Sequence, residues 1–404
     1  MSHQQDATIV VGAGIVGAAT AFHLQQAGAG RVILLDAGEP GRATSDAGAG
    51  FVGYWTAGYL PVASSDEFAL EDYGVGFYRS LSAGGGSIGF RGNGSLFVAV
   101  SESGAPDVAA LADHPLAPVG TRQLSGSEVA ELSGQLLSRD AVTTAVHHPG
   151  GIQISAGLAT RELAAAASAM GVEVRGNSPV LEVLVDDGRV IGVRTSDGDL
   201  AAHAVVLACG AWANRLLAPL NQQVPLGRKI ASRVVSPPSG VSALTPTVMV
   251  PEWSGLWVRE NEGGLTWGNT VGYAPLHEHG IEIEAGGHPR VQCLIDDMID
   301  YLSPRLSSLM PEHDVSCAEW SQGLPCFTPD GRFIAGPVTA IPGLHVAAGD
   351  NEAGVTHGPG IGRLMADLVL ERTVDYLDPA SFRLDRFPRG DLSDADVFAQ
   401  TPDF

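Results

Sequence analysis

Residues 9–36, IVVGAGIVGAATAFHLQQAGAGRVILLD, hold the most regular pattern in the chain. A short apolar run predicts a buried strand and leads into the glycine-rich turn GAGIVG. Small and apolar residues then recur at helical spacing up to Gly28, which predicts a helix and its end. A second apolar run predicts another buried strand, ending at Asp36. The stretch is therefore expected to fold as a βαβ unit.

Each part of this unit has a role in binding a dinucleotide. Gly12 permits the tight turn, Gly14 lets the backbone approach a pyrophosphate, and Gly17 allows close packing of helix and strand. The helix N-terminus offers N–H groups and a positive dipole end to phosphates. Asp36 stands near the expected spacing of about 20 residues, where a carboxylate accepts ribose hydroxyls and repels a 2′-phosphate. With 52 glycines in the chain, GxGxxG alone can be an ordinary turn, but the complete unit predicts dinucleotide binding.

The composition is that of a folded protein of 404 residues, with 45% hydrophobic and 17% charged residues. This length allows two domains with sizeable cores. The formal net charge of −22 argues against nucleic acid as a partner. Lys229 is the only lysine in the sequence, so chemistry that needs a reactive amine is confined to one position.

The cysteines form no CxxC pair and have no histidine cluster beside them, so we expect neither a metal site nor a disulfide framework. The few residues before the first strand leave no room for a signal peptide, and no apolar run reaches the length of a membrane span. These features predict a cytoplasmic protein. The cysteines are Cys209, Cys293, Cys317 and Cys326.

Strand, turn and helix patterns return near the middle and the end of the chain, whereas the region between them is β-rich and interrupted by prolines. We predict an α/β protein, α+β overall, with a Rossmann-type nucleotide-binding domain and an inserted, mainly antiparallel β-sheet substrate domain. The first domain is assigned residues 1–90, 151–225 and 325–375, the second 91–150 and 226–324, and a C-terminal tail 376–404. We also expect helices at 68–81, 155–170 with Ser155 as the cap, and 291–309 with a kink or boundary at Pro304.

Five motifs in this order carry a resemblance to a known family. They are GAGIVG with Asp36, RATSDAGAG at 42–50, VVLACGAWANRLL at 205–217, TPDG at 328–331 and GLHVAAGDNEAGVTHGPGIGRL at 343–364. Together they resemble the flavin-dependent D-amino acid oxidase superfamily, which includes glycine oxidase, sarcosine oxidase and the dimethylglycine dehydrogenases. The resemblance covers nearly the whole chain. It implies that the nucleotide is FAD, held in an extended form with its ring at the domain boundary.

The resemblance also implies which residues contact FAD. The glycine-rich turn would hold the pyrophosphate, the end of the second strand the adenosine ribose, and residues near 353–356 the pyrimidine edge of the ring. Oriented N–H groups at that edge stabilise the charge that reduction places there. The implied contacts are Gly12, Ala13, Gly14, Ile15, Val16, Gly17, Asp36, Ala37, Thr44, Ser45, Val180, Gly210, Trp212, Ala353, Gly354, Val355 and Thr356.

Two departures from the family bear on how FAD is attached. Some dehydrogenases of the group bond FAD to a histidine after the serine of the TSxxAG loop, but here that residue is Asp46. Sarcosine oxidase uses a cysteine six positions before the proline of TPD, where this chain has Gly323, and Cys326 is too close. We therefore expect non-covalent FAD.

Two further departures bear on the substrate and the electron acceptor. Pro325 stands where glycine oxidase-like members carry an arginine for the substrate carboxylate. Thr266 stands approximately where sarcosine oxidase has the lysine that assists oxygen. A simple α-amino acid substrate and fast reaction with oxygen are thereby weakened, and electrons can instead pass to another acceptor.

The resemblance predicts oxidation of the C–N bond of a small amine or N-alkyl amino acid, by hydride transfer to flavin N5, to an imine that hydrolyses. Because positioning supplies much of the acceleration, no general base is required. Each candidate substrate contact also has a structural alternative: a surface salt bridge for Arg259, bracing of a turn for Arg332, backbone orientation for Glu352 and His357, and core packing for at least one of Trp257 and Trp267.

Two other interpretations stay open. Relatives of the same fold suggest an FAD-dependent 2-hydroxy acid dehydrogenase. The missing arginine and lysine also fit a flavin-binding subunit that turns over only within a hetero-complex. The sequence does not fix the substrate, its stereochemistry, the acceptor, whether oxygen or another, or whether the chain forms a homo-oligomer.

Overall fold

The computed structural model describes residues 7–53, 64–388 and 392–401. Residues 1–6, on which the signal-peptide prediction rests, lie outside the described residues. The described helices are α1 (Ile15–Gln26), α2 (Thr44–Ala47), α3 (Ser65–Ala83), α4 (Ala105–Ala110), α5 (Gly126–Leu132), α6 (Ala156–Ala169), α7 (Ala213–Leu217), α8 (Gln292–Leu309), α9 (Gly354–Val369) and α10 (Asp394–Phe398). The described strands are β1 (Ala7–Val11), β2 (Arg31–Leu35), β3 (Phe51–Val52), β4 (Ser95–Ala99), β5 (Arg122–Leu124), β6 (Thr144–His148), β7 (Ile152–Gln153), β8 (Glu173–Arg175), β9 (Val180–Asp186), β10 (Arg189–Thr195), β11 (Gly198–Ala201), β12 (Ala204–Leu207), β13 (Gly227–Val235), β14 (Thr247–Val250), β15 (Leu256–Asn261), β16 (Gly264–Gly268), β17 (Tyr273–Pro275), β18 (Glu319–Gly323), β19 (Cys326–Phe327), β20 (Ile334–Pro337) and β21 (Leu344–Ala348).

The predicted βαβ unit forms the centre of a mostly parallel sheet. Its strand order is β20-β21-β12-β1-β2-β8, and only β20 pairs in the antiparallel sense within the described residues. Strands from the beginning, middle and end of the sequence therefore lie side by side. The predicted Rossmann-type fold is confirmed, and its loops at the carboxyl ends of β1, β2 and β12 meet at one edge of the sheet.

Alternate residues of these strands fill two hydrophobic cores, because successive side chains in a strand point to opposite faces. Val10 and Leu34 pack with residues of α1, α6 and α9. Ile9 and Ile33 pack on the other face with residues of β9 and β10. Small residues let α1 and α9 approach closely, since a Cβ at Gly362 would lie 2.6 Å from the Cβ of Ala19.

A second, mainly antiparallel sheet stands beside the first. Its order is β17-β13-β16-β15-β14-β4-β6-β5, with β18 and β19 also paired to β13, and β14 pairs with β4 in parallel. Helix α8 covers one face, where Met298 and Leu302 pack with Trp267. The other face carries the apolar side chains Phe97, Met249 and Trp257.

The predicted helices are present, with two differences in detail. Pro304 lies inside α8 and does not end it. Ser155 is the N-cap residue of α6, as predicted, but its side chain makes no capping hydrogen bond. The boundaries assigned to the two domains and the tail stay predictions.

Candidate functional site

The turn after β1 requires glycine at two positions. Gly12 has a φ of +100°, and a Cβ there would lie 2.5 Å from the carbonyl oxygen of Ala208. A Cβ at Gly17 would lie 1.7 Å from the carbonyl oxygen of Gly12. The Ile15 N–H donates to Ser45 Oγ at 3.0 Å, which fixes the loop 42–50 against the N-terminus of α1. The N-terminus of α1 beside this loop is a position suited to a ligand phosphate.

Asp36 directly follows β2, and its carboxyl accepts hydrogen bonds from the backbone. Its Oδ2 accepts a hydrogen bond from the Ala13 N–H at 2.5 Å, and its Oδ1 accepts one from the Gly38 N–H at 2.8 Å. Burial raises the pKa of this carboxyl, and the two backbone N–H groups oppose the rise. Because each carboxylate oxygen has two lone pairs, Asp36 can still accept from a ribose hydroxyl.

An elongated cavity of about 490 Å³, here called the nucleotide cavity, follows these residues. It brings together most of the predicted FAD contacts, which come from regions far apart in the sequence. Five stand outside its described lining: Ala13 donates to Asp36, Gly17 packs on Gly12, Ala353 is the N-cap of α9, and Val355 and Thr356 line a second cavity described below. The predicted contacts in the lining are Gly12, Gly14, Ile15, Val16, Asp36, Ala37, Thr44, Ser45, Val180, Gly210, Trp212 and Gly354.

A second cavity of about 440 Å³, here called the apolar cavity, adjoins the first. The two share Ile15, Thr44, Ser45, Asp350 and Gly354 in their linings. The predicted contacts Val355 and Thr356 line this second space. Its walls are chiefly side chains of the antiparallel sheet and neighbouring loops, namely Phe51, Phe97, Leu111, Met249, Leu256 and Trp257.

The turn that begins α9 is bound to the segment containing the TPDG motif. Asp350 Oδ1 accepts a hydrogen bond from the Cys326 N–H at 2.9 Å, and Asn351 Oδ1 accepts one from the Thr328 N–H at 2.9 Å. Asn351 Nδ2 donates to the Gly349 carbonyl oxygen at 2.7 Å. These bonds hold two consecutive non-glycine residues at positive φ, 44° for Asn351 and 67° for Glu352. Strain of this kind persists only where the surroundings impose it.

Glu352 brings a carboxyl group to the lining of the apolar cavity. Its Oε1 is shielded from solvent and has no hydrogen-bond partner among the described residues. Burial raises the pKa of this carboxyl to about 8, with opposition from Lys229 and the Tyr273 side chain and support from Asp350. The sequence offered Glu352 only as a residue that touches either backbone or substrate.

Arg233 is a lining residue that the sequence did not single out. It lies on β13, and its Nη2 donates to the Asp46 carbonyl oxygen while Nη1 donates to Thr266 Oγ1, both at 3.3 Å. Its buried Nε has no partner among the described residues. Burial lowers the pKa of the guanidinium, and the charges of Asp46 and Glu319 oppose this shift. A cation with an unused donor therefore faces the cavity.

Arg259, the first substrate-contact candidate, lies behind the loop and outside the described lining of either cavity. Its Nε donates to the Ala49 carbonyl oxygen and its Nη1 to the Glu260 carbonyl oxygen at 2.8 Å. A Cβ at Gly50 would lie 3.0 Å from its Nη2. The side chain is buried, so the alternative of a surface salt bridge is wrong. Burial, aided by Arg233 and Arg91, lowers its pKa to about 9.

The other two candidates also stand outside the described linings. Arg332 lies 3.5 Å from a carboxylate oxygen of Glu67, and its carbonyl oxygen accepts from Thr328 Oγ1 at 2.8 Å, which agrees with a bracing role. His357, on α9, lies 3.7 Å from Glu71. A substrate role for Arg259, Arg332 or His357 stays a prediction, for which these contacts provide no support.

Trp257 and Trp267 lie in different environments, and one of them packs in the core as predicted from the sequence. Trp257 lines the apolar cavity. Trp267 is fully buried beneath α8, where its Nε1 donates to Ser236 Oγ at 3.1 Å.

The residues considered for covalent attachment are engaged elsewhere. Asp46 accepts from Arg161 Nη1 at 3.1 Å. Cys326 lines the nucleotide cavity, but its thiol donates to Asp350 Oδ1 at 3.4 Å. Burial, followed by the charge of Asp350, raises the pKa of this thiol well above its usual value, so the thiolate needed as a nucleophile is disfavoured.

Neither a bilayer-spanning helix nor a metal-binding cluster is present in the described ranges. Their helices include none with both the length and the apolar character to cross a bilayer. Within the same ranges, no group of three or more His, Cys, Asp or Glu side chains is arranged to hold a metal ion.

Comparison with known proteins identifies the family of the chain. The family model "FAD dependent oxidoreductase", abbreviated DAO, matches residues 7–368. The chain therefore belongs to the DAO family of FAD-dependent oxidoreductases, and its cofactor is FAD.

Several relatives span nearly the whole chain. "Uncharacterized oxidoreductase YurR" of Bacillus subtilis is 30% identical over 397 residues, covering 92% of this chain and 98% of that protein. The 4-methylaminobutanoate oxidase (formaldehyde-forming) of Paenarthrobacter nicotinovorans is 28% identical over 94% of this chain, which spans only 45% of that relative's length. Glycine oxidase from Geobacillus kaustophilus has a TM-score of 0.78 at 26% identity, with 96% of this chain and 100% of that chain covered.

Proposed function

We propose that the protein oxidises the C–N bond of a small amine or N-alkyl amino acid, giving an imine that water hydrolyses. The observation that carries this proposal is the junction of the two cavities. The nucleotide cavity and the apolar cavity meet at Thr44, Ser45 and Gly354, which line both of them. A substrate bound in the apolar cavity would therefore lie beside a cofactor held in the nucleotide cavity.

The residues present fit FAD. The glycine turn with the N-terminus of α1 would hold the pyrophosphate, Asp36 the ribose, and the backbone at 353–356 the ring edge. When bound, FAD supplies a hydride acceptor at N5. The protein's own part is to orient the substrate C–H bond, exclude water with the apolar walls and place charge near the reacting nitrogen. The disfavoured thiolate of Cys326 supports non-covalent binding.

Two relatives support the substrate class, since one is named an oxidase of 4-methylaminobutanoate and another is a glycine oxidase. If the substrate also carries a carboxylate, we assign Arg233 as the residue that binds this carboxylate. The Nε of Arg233 has no hydrogen-bond partner among the described residues. Arginine is well suited to that role through paired N–H donors. This assignment differs from the sequence-based candidates Arg259 and Arg332.

The test is anaerobic reduction of the purified, FAD-loaded protein. Panels of N-methyl amino acids, cyclic imino acids, primary amino acids and 2-hydroxy acids are added, and bleaching of the flavin absorbance is recorded. We expect an amine panel to bleach it. Bleaching by hydroxy acids alone would replace the proposal with the 2-hydroxy acid dehydrogenase, and bleaching only after a partner protein is added would favour the hetero-complex subunit. Readmission of air then separates an oxidase from a dehydrogenase by the rate at which colour returns.

A further inference from the structure

The apolar cavity contains one feature that apolar packing does not require, which is the carboxyl group of Glu352. Glu352 is part of its lining, and its Oε1 is shielded from solvent without a hydrogen-bond partner among the described residues. Leaving a buried carboxylate oxygen unpaired is unfavourable. A ligand that donates a hydrogen bond or carries a positive charge would remove that penalty.

The backbone holds this side chain in place at some energetic expense. Glu352 has a φ of +67° and follows Asn351 at +44°, a left-handed conformation that side chains other than glycine and asparagine seldom adopt. The hydrogen bonds of Asp350 and Asn351 to the Cys326–Thr328 segment keep the turn in this form. The position of the carboxyl is therefore imposed by the fold.

The charged and titratable neighbours of Glu352 come from three elements. Tyr273, at the start of β17, interacts with the carboxyl through its side chain, and Lys229 on β13 and Asp350 on the same turn act on it electrostatically. Lys229 Nζ lies 4.6 Å from the ring centre of Phe327 and 5.2 Å from that of Phe398. Its positive charge therefore also interacts with these two aromatic rings. Arg233 lines the same cavity farther along β13. In the empty cavity the Glu352 carboxyl is therefore ionised only above about pH 8, and a positive charge bound beside it would favour its ionised form.

We propose that Glu352 binds the ammonium group of the substrate and accepts its proton before oxidation, so that the substrates are amines that enter as cations. This inference rests on the proposed function and names the group that selects its substrate. Tyr273 is a positioning residue, since it acts through the carboxyl.

One N–H bond of the substrate ammonium breaks, and its proton passes to an oxygen of Glu352, which leaves the nitrogen lone pair free. The adjacent carbon then loses a hydride to FAD, the accepting cofactor, while the lone pair forms the C=N bond. Water adds to that bond and releases a carbonyl compound and an amine. Because the pKa of the carboxyl is about 8, its ionised form can accept the ammonium proton at and above that pH and release it again to solvent.

The test uses ligands of one shape and three charges. In 2-phenylpropan-2-amine the carbon bearing nitrogen has no hydrogen, so it binds without being oxidised. The alcohol 2-phenylpropan-2-ol and the anion 2-methyl-2-phenylpropanoate are its neutral and negative counterparts. Calorimetric titration of the FAD-loaded protein at pH 9 should show the amine binding about tenfold or more tightly than the alcohol, since charged hydrogen bonds exceed neutral ones.

Glu352→Gln should remove the preference, leaving the amine and alcohol within about threefold of each other. The matched control is Glu262→Gln, because Glu262 also has a positive φ, 51°, but is exposed on the β15–β16 turn. That control should retain the full preference. An unchanged preference in Glu352→Gln, or equal binding of amine and alcohol by the unaltered protein, would overturn the inference.

The pH dependence gives a second readout, which also serves if Glu352→Gln does not fold. Below about pH 8 the carboxyl is protonated, so the cation preference should be present above that pH and lost as the pH falls through it. Tyr273→Phe removes an interaction that lowers the pKa of Glu352, so the midpoint of this loss should move to higher pH. An unmoved midpoint would count against the proposal.

These outcomes are separable from failure of the proposed function. If amines bleach the flavin but Glu352→Gln keeps the cation preference, only this inference fails. If hydroxy acids bleach it and no amine does, the proposed function itself fails.

Discussion

Gly12 and Gly30 share a left-handed backbone but differ in their surroundings. Gly12 has a φ of +100° and lies against Ala208. Gly30 has a φ of +67°, but a Cβ added there would have no other atom within 4 Å. The pair therefore separates two reasons for glycine, backbone freedom and close approach. Only the close approach, at Gly12, affects the cofactor site.

Gly12→Ala should abolish FAD retention, because the new methyl group meets the Ala208 carbonyl oxygen and displaces the turn. Its unfolding free energy should fall by about 1–3 kcal/mol or more. Gly30→Ala should lose about 1–2 kcal/mol and keep its flavin. The ratio of flavin to protein absorbance after gel filtration and urea unfolding measure the two effects. A flavin-loaded Gly12→Ala protein would contradict the assigned cradle.

Arg233 allows a second prediction at this scale, from its unpaired Nε. Arg233→Met should weaken binding of benzoate, a simple carboxylate that fits an apolar cavity, by about tenfold or more, because it removes charged donors. Its thermal stability should change little, since a methionine fills similar space without a buried charge. Arg332→Met, outside the described lining, is the control and should bind benzoate normally. Equal weakening in both variants would argue that Arg233 has no direct contact.

At the scale of elements, the turn before α9 is built by residues that the sequence places in two motifs. Asn351 bonds to both Thr328 and Gly349, at 2.9 and 2.7 Å. The turn therefore keeps its shape through a side chain and not through glycine alone. The N-terminus of α9 and Glu352 depend on it.

Asn351→Ala should reduce the unfolding free energy by about 1–3 kcal/mol through the lost buried hydrogen bonds, and it should raise the dissociation constant for FAD. Asn221→Ala is the matched control, since Asn221 has a φ of 54° at the end of a short 3-10 helix. Calorimetry with and without FAD compares the two variants. If Asn221→Ala were equally harmful, backbone strain and not the Asn351 side chain would explain the result.

The sequence predicted elements better than it predicted the cavity wall. The βαβ unit and α3, α6 and α8 follow from local periodicity, which survives folding. Arg233 was missed because its position depends on the register of β13 and on a contact with Asp46 across 187 residues. Arg259 was weighed as exposed because the strand LWVRE does not reveal that both of its faces are covered. Long-range packing, which periodicity does not encode, decides such residues.

At the scale of the whole molecule, buried histidines link stability to pH. Burial lowers the pKa of His23, His148 and His345 to about 4 each. The unfolded chain takes up protons at these residues as the pH falls below about 6.5, while the folded protein does not until about pH 4. The contribution of these three histidines to stability should therefore be complete above pH 6.5 and decline progressively below it.

Urea unfolding at several values between pH 6.5 and 5.5 checks this decline in a range where carboxylates of ordinary pKa contribute little. The three histidines lower the free energy of unfolding as the pH falls, whereas Glu352, whose pKa is about 8, acts in the opposite sense. In His345→Leu the histidine contribution to the slope should be smaller, because one of the three contributing groups is gone. A slope that stays the same in this variant would assign the pH dependence to other residues.

The parallel sheet is completed by β20 and β21, which come from residues 334–348 and lie beside β12, from residues 204–207. During synthesis the ribosome therefore releases the glycine turn of β1 long before the strand and helix that close the cofactor site. Until β21 has been synthesised, the edge of the sheet at β12 stays unpaired, and such an edge is prone to pair with other chains. FAD loading thus belongs after emergence of residues 344–369, and scarcity of the vitamin that supplies its flavin should reduce the yield of native protein as well as its activity.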